Sequence, residues 1–431
     1  MEVVIIGAGI GGLTAALSLH AAGIRSRVYE AVSQIRPLGV GINVLPHATK
    51  ELEDLGLLPA LEAAGVLTRE VVYASRRGEI IWSEPRGRHA GYRWPQVSVH
   101  RGALQMLLYE AVRERLGPDA VAADHEAVEV VQEAGRATVH FRRRSTGEAL
   151  APAVGDAVIA ADGIHSAIRA RFYPEEGPPK WGGMTLWRGT TVASPYLSGA
   201  TMVISGNART KFVCYPIRNL PDGRQLINWI ADIATRESDF STVADWNRKG
   251  SGAAFLPTYA GWSSQVLDIP ALVNGAEAIY EYPMSDRDAL PRWTFGRVAL
   301  LGDAAHAMYP IGSNGAAQAI IDARTLALEL SRQPGVEAAL AAYEAARRPP
   351  MEKLLMAHRA EGADVILDML EQRAPQGYDD LEQVLPYAER EEVALRYKKM
   401  AGFDLKRLNE SPPMTPAAPG RLPGQGPAAR R

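Results

Sequence analysis

Residues 3–23 read VVIIGAGIGGLTAALSLHAAG, and the change of pattern inside this stretch decides the fold. Val3 to Ile6 form a β-branched, apolar run, the mark of a strand buried on both faces. Gly7-Ala8-Gly9-Ile10-Gly11-Gly12 interrupts it, after which Leu13, Ala16, Leu17 and His20 recur along one side of a helix. Gly7 permits a tight turn, Gly9 lets the backbone approach a pyrophosphate, and Gly12 lets the helix pack close to the strand. The free N–H groups at the helix start attract the phosphate charge. A second strand, Arg27-Val28-Tyr29, ends at Glu30, eighteen residues after Gly12. A carboxylate there accepts hydrogen bonds from ribose hydroxyls and disfavours a 2′-phosphate. The stretch predicts bound FAD or NAD, with Gly7, Gly9, Gly12, Leu13 and Glu30 at the cofactor.

Composition narrows the class. The chain has 431 residues, 47% of them apolar, enough for a large globular core. A net charge of -2 provides no overall basic face for nucleic acid or anionic lipid. The single cysteine, Cys214, excludes an intrachain disulfide and a multi-thiolate metal site, and points to a reducing cytoplasm. No Cys/His/carboxylate grouping has metal-ligand spacing. The N-terminus enters a strand without a basic leader, and no apolar run reaches the roughly 20 residues that span a bilayer. Secretion and membrane insertion are not expected.

The pattern predicts an α/β fold whose first domain is discontinuous. Residues 1–70, 98–175 and 281–365 alternate strands with helices, as in a Rossmann-like dinucleotide-binding domain. Residues 71–97 and 176–280 change to short alternating strands rich in aromatics, such as MTLWRGTTV, KFVCYPI and QLINWIADI. These predict an inserted antiparallel sheet that holds the substrate. A helical segment follows over 366–408. The tail, 409–431, is rich in Pro and Gly and is expected to be disordered.

A second glycine-bearing segment, RVALLGDAAHAMYPIGSNGAAQAIIDA at 297–323, is again strand, loop and helix. Its strand ends at Gly302-Asp303, which places a carboxylate at the crevice where α/β sheets bind ligands. FAD, unlike NAD, has a ribityl chain whose hydroxyls need such a partner, so Asp303 selects FAD. Pro310 to Gly315 then lead into an Ala-rich helix whose N-terminus, at Gly315 and Ala316, is suited to the flavin edge where charge accumulates on reduction.

Three motifs in this order, the fingerprint with Glu30, AADGIHSAIR at 160–169 and GDAAHAMYPIGSNGA at 302–316, resemble the class A FAD-dependent aromatic hydroxylases. Salicylate and hydroxybenzoate hydroxylases belong to that family. IRPLGVGIN, WSEPRG and YPMSDRDALP bring the chain nearest to its phenazine-carboxylate hydroxylases. The resemblance covers the chain to about residue 365. It implies a GR2-type FAD domain with Asp162 on the pyrophosphate side, Arg101 at the flavin phosphate and ribityl region, and Gly39, Gly41 and Ile42 beside the isoalloxazine. It also implies that Arg169 braces the Asp162 loop through a salt bridge.

The activity implied is a single-component monooxygenase. NADH or NADPH visits transiently, since no second G-x-G-x-x-G is present, and O2 is activated as a C4a-hydroperoxyflavin that hydroxylates a small aromatic or N-heteroaromatic ring. If the ring carries a carboxylate, attack at that carbon expels carbon dioxide. No side chain is assigned as acid or base, and His47, His165 and His306 are read as structural. Trp187, Met202, Tyr215, Trp229 and Pro310 are the expected substrate contacts, with Arg188 or Arg209 facing a carboxylate. An FAD oxidase or dehydrogenase, and a flavin-binding regulator without turnover, are the alternatives.

Overall fold

The computed structural model describes residues 1–236, 248–262, 266–360 and 362–415. A six-stranded sheet carries the fingerprint. Its spatial order is Thr294–Phe295, Val298–Leu300, Ala157–Ala160, Glu2–Ile6, Arg25–Tyr29 and Val121–Ala122. All neighbours are parallel except the hairpin formed by the first two. Ile6 pairs with Ala160 on one side and Tyr29 on the other. The carboxyl ends of three central strands therefore converge where the glycine loop leaves the sheet, the edge at which such sheets bind ligands.

The first helix, Ile10–Ala21, packs against helices Gly315–Arg332 and Arg101–Leu116. Gly11 makes the approach possible, since a Cβ there would lie 2.7 Å from Leu301 Cδ2. Leu13 and Leu17 are fully buried beneath it, each stabilising the fold by about 1.5–3 kcal/mol. His20 is exposed, so the buried stripe of this helix ends at Leu19.

The large sheet has seven strands in the order Ala276–Asp286, Lys180–Ala193, Gln225–Ala234, Thr210–Asn219, Thr201–Asn207, Glu70–Ala74 and Ile80–Pro85. It is not wholly antiparallel, because Thr201–Asn207 runs parallel to Glu70–Ala74. The connection between those strands passes through much of the six-stranded layer, long enough for the crossover that parallel pairing requires. Gln96–His100 lies outside this sheet and pairs with Gly41–Val44 and Val66–Thr68.

Alternation divides the large sheet into two faces. Trp187, Phe212, Cys214, Trp229 and Phe255 form a core on one side. Leu186, Arg188, Lys211, Val213, Tyr215 and Ile230 look the other way, into a cavity.

The C-terminal helices are integral to the packing. Val365–Arg373 contributes Ile366, Leu367 and Leu370 to a core with Tyr73, Trp82 and Ile204. Beyond it, Tyr397 in helix Tyr387–Met400 joins the main core together with Phe403 and Leu408. The Tyr92 hydroxyl donates to the Phe403 carbonyl (2.6 Å). Within the segment expected to be disordered, residues 409–415 are described. Met414 N–H donates to Glu51 Oε2 (3.1 Å) and Thr415 Oγ1 to Asp54 Oδ1 (2.9 Å). Residues 416–431 lie outside the described residues. Among the described residues, no helix is long and apolar enough to cross a membrane.

Candidate active site and its relatives

Gly7 has φ +100°, and a Cβ there would overlap the Ala161 carbonyl oxygen. A Cβ at Gly12 would overlap the Gly7 carbonyl oxygen. Both positions therefore exclude any larger residue. At Gly9, Gly163 and Gly315 the opposite holds, for a Cβ would meet nothing within 4 Å. Three backbone segments thus present open, side-chain-free surface to one crevice. Glu30 stands beside the loop, with Oε2 accepting from Ala8 N–H (2.7 Å) and Oε1 from Val32 N–H (3.0 Å). Gln105 Nε2 donates to the Ala8 carbonyl (2.8 Å), a brace from helix Arg101–Leu116 that sequence reading missed.

A cavity of about 340 Å3 joins this crevice to the large sheet. Gly9, Gly41, Arg101, Asp303, Pro310, Gly315 and Ala316 line it from the dinucleotide side, and Met202 and Tyr215 from the sheet. Arg101 and Asp303 are exposed there. Asp162 is half-buried outside the cavity wall. Burial pushes its carboxyl up against the hydrogen bond from Ser166, and its Oδ1 has no partner among the described residues. The open glycine surfaces and the exposed Asp303 along this crevice fit a bound dinucleotide.

Four expectations need correction. Trp187 and Trp229 face away from the cavity, since strand alternation assigns the pocket to Leu186, Arg188 and Ile230. The Trp187 Nε1–H donates to Glu281 Oε2 (3.1 Å), and that of Trp229 to Thr191 Oγ1 (3.0 Å). Leu13 offers nothing to a cofactor, because its side chain is inaccessible and its N–H donates to the Gly9 carbonyl (3.0 Å). Arg169 pairs with Glu176, not Asp162, and donates to the carbonyls of Ala304 and Ala305 (3.1 Å each), bracing the Asp303 segment from beneath. Of the two arginines, Arg188 lines the cavity, while exposed Arg209 does not.

Gly41 is the junction of the two walls. Its N–H donates to Asn228 Oδ1 (2.7 Å), and its carbonyl accepts from Tyr215 Oη (2.9 Å) and Arg188 Nη2 (3.3 Å). A Cβ there would press on Asn228 and Ile217. Burial pushes the Tyr215 phenol up to about 12 despite nearby Arg188. The group is protonated at neutral pH, and its hydrogen goes to the Gly41 carbonyl. Arg188 Nε is buried and has no hydrogen-bond partner among the described residues. Deeper in the same wall, Lys211 Nζ lies 3.1 Å from Asp364 Oδ2 and 3.7 Å from Asp232 Oδ2.

Beneath the 302–315 segment runs a buried polar relay that spacing did not reveal. His306 Nε2 is 2.6 Å from Asp322 Oδ2, which also accepts from Gly302 N–H (3.1 Å). Arg347 Nε donates to Asp322 Oδ1 (2.6 Å) and Nη2 to Gln318 Oε1 (2.7 Å). Burial alone would raise the Asp322 carboxyl, but His306 and Arg347 hold it at about 2. The three-to-four residue rhythm of helix Gly315–Arg332 placed Gln318 and Asp322 on one side. Only the fold showed that this side is polar and enclosed.

The comparisons with known proteins agree with this geometry. The FAD binding domain family matches residues 1–358. Phenazine 1,6-dicarboxylic acid hydroxylase PhzS of Lysobacter antibioticus is 46% identical over 333 residues, covering 76% of this chain and 82% of that protein. The 6-hydroxynicotinate 3-monooxygenase of Pseudomonas fluorescens is 31% identical over 340 residues, 76% and 81% of the two chains. Among solved structures, Klebsiella pneumoniae HpxO complexed with FAD and uric acid superposes with a TM-score of 0.73 at 26% identity, covering 94% of this chain and 96% of that one. The chain belongs to the FAD-binding family of flavin-dependent aromatic monooxygenases.

Proposed function

We propose that this FAD-dependent enzyme hydroxylates a small aromatic or N-heteroaromatic ring bearing a carboxylate, of the phenazine or salicylate kind, with NADH or NADPH as transient reductant. One observation carries the choice of substrate: Arg188 lines the cavity wall opposite the cofactor crevice, and its buried Nε has no hydrogen-bond partner among the described residues. A guanidinium desolvated on one edge favours a planar anion, which it meets with charge-assisted hydrogen bonds. FAD, when bound, supplies the redox and oxygen-transfer chemistry.

The chain's own residues supply binding and exclusion of water. Leu186, Ile204, Val213, Ile230 and Met202 give the ring an apolar wall, and Arg188 fixes its carboxylate end. Tyr215 and Asn228 hold Gly41 rigid between ring and cofactor. Such orientation reduces the entropy cost of bringing the ring to the reacting position. Where oxygen enters at the carboxyl-bearing carbon, the ring carboxylate, O2, NAD(P)H and two protons become the ring hydroxyl, CO2, NAD(P)+ and water.

The test is oxidation of NADH and of NADPH by the purified protein with phenazine carboxylates, salicylates and hydroxyquinolines, following hydrogen peroxide and product mass together. Stimulated oxidation with little peroxide, and a product that gains oxygen or exchanges carboxyl for hydroxyl, is the expected result. Stoichiometric peroxide without such a product would make the ring an effector only. Flavin reduction by the ring itself, without nicotinamide, would replace the proposal with an oxidase or dehydrogenase.

A further inference from the structure

The loop that starts helix Gly315–Arg332 is built from two consecutive left-handed residues, Gly312 (φ +65°) and Ser313 (φ +60°). A non-glycine residue in that region is held there by its surroundings. The surroundings come from the far end of the chain. Tyr397 is buried beneath the loop, and its hydroxyl accepts from Asn314 Nδ2 (2.7 Å). It also lies 3.1 Å from His358 Nε2 and 3.4 Å from the Ile311 carbonyl. With a single hydrogen, the hydroxyl donates to one of those two while Asn314 donates to it.

Asn314 Nδ2 also donates to the Gly312 carbonyl (3.1 Å), so one amide ties the left-handed turn to the phenol. Gln318 Nε2 closes the arrangement, donating to Asn314 Oδ1 (3.4 Å) and to the Ala401 carbonyl (3.2 Å). The fit allows no slack, because a Cβ on Gly312 would overlap the Tyr397 hydroxyl. Ile311, Gly312, Ser313 and Asn314 all line the cavity. The family match ends at residue 358, so the group that shapes this part of the cofactor crevice lies outside it.

We propose that Tyr397 is a positioning residue for the cofactor: acting through Asn314, it sets the 311–315 backbone in the conformation that receives the flavin. This rests on the reading that this loop faces the flavin. The first N–H groups of helix Gly315–Arg332 have no acceptor within the helix, and their orientation follows from the turn that Tyr397 holds. Without the hydroxyl, Asn314 Nδ2 keeps only the Gly312 carbonyl as acceptor, the turn loses its tie to the C-terminal helix, and the two left-handed residues relax. The N–H groups then no longer favour the negative charge of reduced flavin.

The test is Tyr397→Phe, which retains the ring and its packing, compared with Asn314→Leu and the double variant. The measurements are FAD dissociation constant, flavin midpoint potential, visible spectrum, and melting temperature with and without FAD. For Tyr397→Phe the expected result is FAD binding weaker by about five- to tenfold, a more negative potential, and a smaller gain in melting temperature on adding FAD. In the Asn314→Leu background the same substitution adds little, since the two residues act as a pair.

An unchanged potential and FAD affinity, with melting temperature lowered equally in apo and holo protein, would make Tyr397 a packing residue and overturn the proposal. Effects of the two substitutions that simply multiply would overturn its route through Asn314. Failure of the wild-type protein to bind FAD would instead overturn the cofactor reading itself, and the proposal with it.

Discussion

The two walls of the cavity are made of different material. The dinucleotide wall is backbone: Gly7 and Gly12 shape it by excluding side chains, and Gly9, Gly163 and Gly315 leave it bare. The sheet wall is side chain, with Arg188, Met202, Lys211 and Tyr215 set on alternating positions of strands whose other face is a packed aromatic core. A backbone wall suits a cofactor whose phosphates are read by N–H groups. A side-chain wall suits a substrate that differs from relative to relative. Substitutions should therefore fail all at once on the first wall and selectively on the second.

The largest expected effect is Gly12→Val. The added side chain enters space held by the Gly7 carbonyl oxygen, so the protein should purify colourless or not fold, with FAD affinity reduced by roughly two orders of magnitude or more. Flavin absorbance of the purified variant measures it. A yellow variant of normal affinity would break the contrast between the walls.

Next comes Trp229→Ala, on the core face of the sheet. Loss of a fully buried indole should cost about 3–5 kcal/mol of stability in denaturant unfolding, while KM for the ring stays nearly unchanged in whatever protein remains folded. Met202→Ala, on the opposite face of the neighbouring strands, should do the reverse and raise KM with little change in melting temperature.

Arg188→Met sharpens the comparison within the cavity wall. A charge-assisted contact of about 1.5–3 kcal/mol corresponds to a loss of roughly 10- to 150-fold in kcat/KM for carboxylate-bearing rings. Rings without the carboxylate should lose little. Equal losses for both classes would remove Arg188 from substrate recognition.

The smallest effect is a pH dependence of stability. Burial holds His358 at about 4, below its ordinary 6.5. The folded state therefore binds fewer protons than the unfolded chain between those values. The residue costs nothing above pH 6.5, and stability falls as pH drops through this window, by on the order of 2 kcal/mol at pH 5. His358→Gln should remove about half of that slope in urea unfolding compared at pH 7 and pH 5. His47, lowered to about 3 by burial and by Arg347, leaves a residual slope of the same sign.

Glycine positions, the strand and helix periods and the carboxylates at strand ends were legible because each is a local constraint. Gly7 needs φ +100° whatever packs on it, and Asp303 stands three residues beyond the end of its strand at Leu300. Lining aromatics were not legible to the same degree. The rhythm of residues 211–215 shows that Lys211, Val213 and Tyr215 share one face and Phe212 and Cys214 the other, but it does not say which face meets the cofactor domain. Trp187 and Trp229 were assigned to the pocket for their chemistry, and packing took them to the core. The Asp322 relay and the Tyr397 contact join residues 16 to 83 positions apart, at separations no local period reports.

From the sequence alone, this chain was legible as an α/β dinucleotide-binding protein, because phosphate recognition uses backbone geometry that only glycine at fixed spacing permits, and its likeness to the aromatic hydroxylases rested on three motifs taken together. Tertiary structure decided which face of the large sheet lines the cavity, that Arg188 and not Arg209 lies on it, and that Tyr397 of the C-terminal helix packs against the 311–315 loop. Those outcomes depend on how separate segments pack against one another, and packing is settled by the sum of distant contacts, not by any one stretch.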